Sequence, residues 1–158
     1  MHIAPRPAAT TARPAAKPAR IDADSVIYRL EEAGSTLLAL PETGYSTRLR
    51  TTQFDIVRNA LEAYGWNNAP SRLRPAYPDA ARITRMDEAM AWLALIPADR
   101  YVLRRIVGAR SLVSPVTERH LFAWRRLASL LGADHKAIQR WHAQAIALIV
   151  TALNAQPG

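Results

Sequence analysis

The 158-residue chain contains no cysteine. Disulfides and cysteine-ligated zinc are therefore excluded. No apolar run approaches the roughly 20 residues that cross a bilayer. The N-terminus lacks the apolar core of a signal peptide, so a cytoplasmic protein is expected. The four histidines, His2, His120, His135 and His142, stand in no two-histidine metal spacing such as H-E-x-x-H. His135 and His142 are seven apart and can share a helix face, but no third ligand lies near them. There is no phosphate loop, dinucleotide fingerprint or G-x-S-x-G elbow. Asp87 and Glu88 are adjacent, so on a helix they point to different faces. They read as first-turn charge near a helix start. The sequence thus offers no catalytic residue, metal or cofactor, and an enzyme is not expected.

Lysine is also scarce, at 2 residues against 19 arginines. With abundant alanine, that ratio is what a GC-rich genome encodes in any case, so the placement of the charge is the better signal. Residues 1–20 carry Arg6, Arg13, Lys17 and Arg20 and no acid. Residues 21–96 carry eight arginines and ten acids, and residues 97–158 carry nine basic and three acidic residues. The segment charges are +4, −2 and +6, within a net +8. Positive charge on an arm and on one half of a domain is the electrostatic footprint of a nucleic-acid binder.

About half the residues are apolar, enough for one core. Residues 1–22 read as a disordered, basic arm rich in proline and alanine. Such an arm can lie in a DNA minor groove or remain a solvated tail. The remainder predicts an all-α domain of about five to six helices, with no strand and no internal repeat. An N-terminal helical part is expected over 23–96 and a DNA-binding part over 97–158.

The first helix is expected to start at Asp24 or Ser25, with Val26, Ile27, Leu30, Leu37 and Leu38 inward. Gly34 is a point of interruption and Pro41 the end. A second helix is predicted over 53–64, with Ile56, Val57, Ala60, Leu61 and Tyr64 on one face. Polar loops flank it, PETGYSTRLRTTQ at 41–53 and WNNAPSRLRPAYP at 66–78. Asp79 caps a third helix running to about Ile96, with Ile83, Met86, Met90 and Leu93 inward. A fourth is expected over 98–107, with Val102, Leu103, Ile106 and Val107 apolar and Gly108 ending it. Ser114-Pro115 reads as a cap and first turn leading into a fifth.

The most informative stretch is WRRLASLLGADHKAIQRWHA, residues 124–143. Counted from Trp124, a helix-turn-helix wants a small residue at its fifth place, a turn residue at its ninth and an aliphatic at its fifteenth. Ala128, Gly132 and Ile138 fill these, and Leu127 and Trp141 fill the apolar fourth and eighteenth. Ala128 allows two helices to cross closely. Gly132 suits the left-handed end of the first helix. Asp134 can cap the second. Ile138 and Trp141 then face inward, while His135, Lys136, Gln139 and Arg140 face outward to the base edges of a major groove. His142 is assigned to the surface. Arg119, Arg125 and Arg126 flank the motif as phosphate contacts. Two amphipathic helices of an ordinary bundle would share part of this pattern, but not its basic outer face. The second helix is expected to reach about Leu153. Its apolar distal part, AQAIALIVTALN, should pack on the N-terminal helices or on a second subunit.

Two resemblances follow from these residues. AWLALIPADRYVLRRIVG followed by WRRLASLLGADHKAIQRWHAQAIALI resembles region 4 of the sigma-70 family, although the connector between Gly108 and Trp124 is longer than that family has. YRLEEAGSTLLALP, FDIVRNALEAYGW and RITRMDEAMAWL resemble a group of alphaproteobacterial and phage proteins. These are similar in architecture to Q-type phage late anti-terminators and to the gene-transfer-agent anti-terminator. The resemblance implies double-stranded DNA and RNA polymerase as partners. It makes Arg48, Arg50, Arg72 and Arg74 candidate polymerase or RNA contacts, with solvated loop charge as the alternative. The function expected is a sequence-specific transcription regulator of a phage-like gene cluster that acts in anti-termination. A phage small terminase subunit, which marks DNA for packaging, is the alternative.

Overall fold

Asp22 starts the first helix. Its carboxylate accepts the Ser25 N–H at 2.8 Å, and hydrogen bonding from the Ser25 side chain, with that N–H, holds its pKa below the ordinary value. The structure, a computed structural model, describes residues 19–40 and 76–156. Helix α1 spans Ala23–Ala39. It stops where Leu40 turns extended, as a residue before proline tends to do. Helix α2 spans Ala80–Ala91 and is capped by Asp79, whose side chain accepts from Arg82 N at 2.8 Å. A 3-10 turn, Trp92–Leu95, continues it, and a second, Ala98–Arg100, follows Pro97. Helix α3 spans Tyr101–Ser111, α4 Trp124–Leu131 and α5 His135–Ala155. Among the described residues there is no strand, only an isolated bridge between Val113 and His120.

One hydrophobic core joins the five helices among the described residues. α1 lies against α2 and α3, and α5 lies against both α3 and α1 while α4 packs on α5. Val26 and Leu30 of α1, Met86 and Met90 of α2, Ile106 of α3, and Ile138, Ile146 and Ile149 of α5 are almost wholly buried. The all-α architecture is as expected. The distal part of α5 packs on the N-terminal helices, one of the two places foreseen for it. Two ion pairs brace α1 on α2, Arg29–Glu88 at 3.0 Å and Arg85–Glu32 at 2.8 Å. At the far end of α5, Asn154 grips the backbone of Ile21 twice. Its Oδ1 accepts the Ile21 N–H at 3.0 Å, and its Nδ2 donates to the Ile21 carbonyl at 2.9 Å.

Several local expectations are corrected. The cap of α1 is Asp22, not Asp24 or Ser25. Gly34 does not interrupt α1. It is buried where α1 meets α3, and a Cβ there would run into the Ser111 carbonyl oxygen. Gly108 does not end its helix. It is buried within α3, which continues to Ser111. Val102 is exposed, not inward. Asp87 and Glu88 are well inside α2, and Glu88 is there to pair with Arg29.

Ser114-Pro115 does not begin a helix. The Ser114 hydroxyl accepts from the Val116 and Thr117 N–H groups, but the chain then folds back on itself. Glu118 adopts a left-handed φ of 58°, and Leu121 N–H closes onto the Leu112 carbonyl at 2.9 Å. The helix begins only at Trp124. The helix predicted over 53–64, both polar loops up to residue 75, and the arm up to residue 18 lie outside the described residues.

Candidate nucleic-acid interface

Helices α4 and α5 are joined by three residues. Gly132 ends α4 at φ 66° and ψ 33°, a conformation that glycine adopts without a Cβ penalty. The Ala133 N–H then closes back on the Ala128 carbonyl at 3.0 Å. Asp134 caps α5 by accepting from Lys136 N at 3.2 Å. Leu127 and Ala128 are buried, as is Ile138 across from them, while Trp141 is half-buried. The local conformation therefore follows the sequence spacing at each of these positions.

Lys136, Gln139 and Arg140 are exposed. His135 is only half-exposed, its Nδ1 3.4 Å from an Asp134 carboxylate oxygen. Arg125 is exposed in the first turn of α4, next to Ala123, which supplies no side-chain cap. Arg119 is exposed on the fold-back that precedes α4. Arg126 is exposed too, with its guanidinium 5.3 Å from the centre of the Phe122 ring. Arg119, Arg125, Lys136 and Arg140 form no ion pair among the described residues. Arg48, Arg50, Arg72 and Arg74 lie outside the described residues.

Behind this face is a cluster that the sequence did not reveal. Arg110, in the last turn of α3, lays its guanidinium over the Trp124 ring at 4.0 Å and donates to the Phe122 carbonyl at 2.9 Å. Its own carbonyl lies 2.9 Å from Nδ1 of His120, whose Nε2 is 3.3 Å from Glu31 of α1. Burial lowers the Arg110 pKa, and the nearby Glu31 carboxylate opposes that shift. The other edge of the Trp124 ring meets His142 in a T-shaped contact at 5.1 Å. His142 is not the surface residue expected. Burial, reinforced by Arg110 and His120, lowers its pKa to about 4, so it is neutral at pH 7. A signal was present in the spacing, because His142 lies midway between the buried Ile138 and Ile146, four residues from each. A cleft of about 10 Å³ beside it, between Glu31, Arg110 and Ser111, has the scale of a single water. The cluster fixes where α4 begins, and so where Arg125 and Arg126 stand.

Among the comparisons with known proteins, one family model matches α2 to α4 and most of α5. The chain is a member of the family described as a domain of unknown function, DUF6362, which it matches over residues 39–149. That stretch runs from the last residue of α1 through most of α5. No curated protein matches the chain, and no solved structure does.

Proposed function

We propose that this member of the DUF6362 family is a sequence-specific DNA-binding transcription regulator. The reading rests above all on one observation. The first two turns of α5 present Lys136, Gln139 and Arg140 outward, with no acidic partner for either cation among the described residues. Arg140 suits the guanine edge and Gln139 the adenine edge, since each pairing allows two hydrogen bonds. A good pairing of this kind is worth about 1–3 kcal/mol of base discrimination. Arg119 on the fold-back and Arg125 in the first turn of α4, both exposed and without an ion pair among the described residues, serve as phosphate contacts that set register without reading sequence. Arg126, held near Phe122, is a third. His135, turned toward Asp134, contributes less than its position in the motif suggests. The positive charge of residues 97–158 supplies the long-range attraction.

The resemblance to Q-type anti-terminators extends the proposal. In that role the protein binds near a promoter of a phage-like or gene-transfer-agent cluster and travels with RNA polymerase. A genome-wide occupancy map tests both levels. Signal that starts at one promoter and continues through the downstream operon supports anti-termination. A single sharp peak keeps the regulator and removes anti-termination. Signal without site preference, or none, overturns sequence-specific binding. A small-terminase role would use the same face in a many-membered ring, so light scattering on the pure protein separates the two.

A further inference from the structure

The exposed face of α5 continues beyond Arg140. Ala143 and Gln144 are exposed, whereas Ala137, Trp141 and His142 are half-buried and Ile138, Ala145 and Ile146 are buried. At 3.6 residues per turn, Lys136, Gln139, Arg140, Ala143 and Gln144 share one side of the helix. Gln144 follows Arg140 by four residues, so the two side chains are neighbours along one ridge. From Lys136 to Gln144 the helix advances about 12 Å, close to the width of a B-DNA major groove. Farther along the same side Ala147 and Thr151 are exposed, beyond the groove-sized stretch, and near the end of α5 Asn154 is engaged with Ile21.

We infer that Gln144 is a further base-reading residue, one helical turn past Arg140; this rests on the major-groove reading proposed above. The glutamine amide both donates and accepts, and it meets adenine through N7 and the N6 amino group. Ala143 stands between Gln139 and Gln144 with only a methyl group. It lets the α5 backbone approach the groove floor closely enough for a glutamine to reach. Gln144 therefore selects an adenine next to the base pair that Arg140 reads. His135, engaged with Asp134, is not needed for that selection.

In vitro selection from a pool of random duplexes, run on the full chain, tests the inference. The original protein, Gln144→Ala, Gln144→Glu, Arg140→Ala and Thr151→Ala are compared. Thr151 is exposed on the same side of α5 but lies beyond the groove-sized stretch. Alanine and glutamate both favour helix and the site is exposed, so the variants keep the fold. The expected result is that Gln144→Ala loses roughly ten-fold preference for adenine, beside the position relaxed by Arg140→Ala. Gln144→Glu moves that preference toward cytosine, whose amino group donates to a carboxylate. Thr151→Ala selects the original site. If both Gln144 variants select the original site, or bind every sequence more weakly by one factor, the inference is overturned while base reading by α5 stands. If the original protein selects no site, base reading itself fails and the inference falls with it.

Discussion

Two regions of the molecule, the α1–α2 pair and the α4–α5 face, use arginine differently. On α1 and α2, Arg29 and Arg85 are consumed by Glu88 and Glu32. In the C-terminal half, Arg104 and Arg110 bind neutral partners. Arg104 donates to the Ile96 carbonyl at 2.7 Å, and Arg110 to that of Phe122. Arg119, Arg125 and Arg140, with Lys136, have no acidic partner among the described residues. A GC-rich coding bias would raise the arginine count in both halves alike. It would not withhold the acids from one of them. On the DNA-binding reading proposed above, charge placement rather than arginine content is what matters.

That contrast can be broken from the body outward. The largest effect is expected at Gly34, where any side chain collides with the Ser111 backbone. Gly34→Val should separate α1 from α3 and cost about 3 kcal/mol, seen as a large drop in the urea midpoint. An unchanged midpoint would mean that the helices cross elsewhere.

The buried cluster gives the next effect, through pH. The pKa of His142 is lowered from 6.5 to about 4 in the folded protein. Between those values the unfolded chain binds a proton that the folded protein refuses. The contribution of this group is thus fully present above pH 6.5 and is lost as the pH falls toward 4. Thermal unfolding should show that loss, and His142→Leu should flatten it; an equally steep profile in the variant would assign the loss to other groups.

The unpaired cations sharpen the comparison on DNA. Arg140→Ala should relax selection at one base position by about 1–3 kcal/mol. Arg125→Ala should instead weaken all duplexes alike and reduce the salt slope by about 1. Equal, sequence-independent losses from both would dissolve the division of labour. The smallest effect belongs to the paired half, because Glu88→Gln breaks a partly exposed ion pair worth about 0–1 kcal/mol. Its DNA affinity should match that of the original protein in a titration at fixed salt.

What could be foreseen depended on how local the cause was. Gly132, Asp134 and Asp79 act within a few residues of themselves, and their turn and caps stand where the spacing put them. The inward faces of α2 and α5 were legible for the same reason, being set by helical period. Gly34 misled because a glycine that interrupts a helix and one that admits a neighbouring helix look alike in sequence, and Gly108 because a buried glycine inside a helix looks like one that ends it. Ser114-Pro115 offered a good helix start, but the bridge between Val113 and His120 pulled the chain back. The contacts among Glu31, Arg110, His120, Trp124 and His142 span more than a hundred residues, and no spacing rule announces them. Exposure separated Lys136, Gln139 and Arg140 from His135, which spacing alone had treated as equals.

The Asn154 clasp on Ile21 has a practical side. It draws the entering strand to the last turn of α5, about 27 Å along the helix axis from Lys136 at 1.5 Å per residue. Fusions built outward from Ile21 or from Asn154 therefore share one pole, away from the end of α5 proposed to meet DNA. The same adjacency makes the fold a candidate for circular permutation, with a short linker closing that pole and new ends opened at the exposed Val116–Arg119 tip.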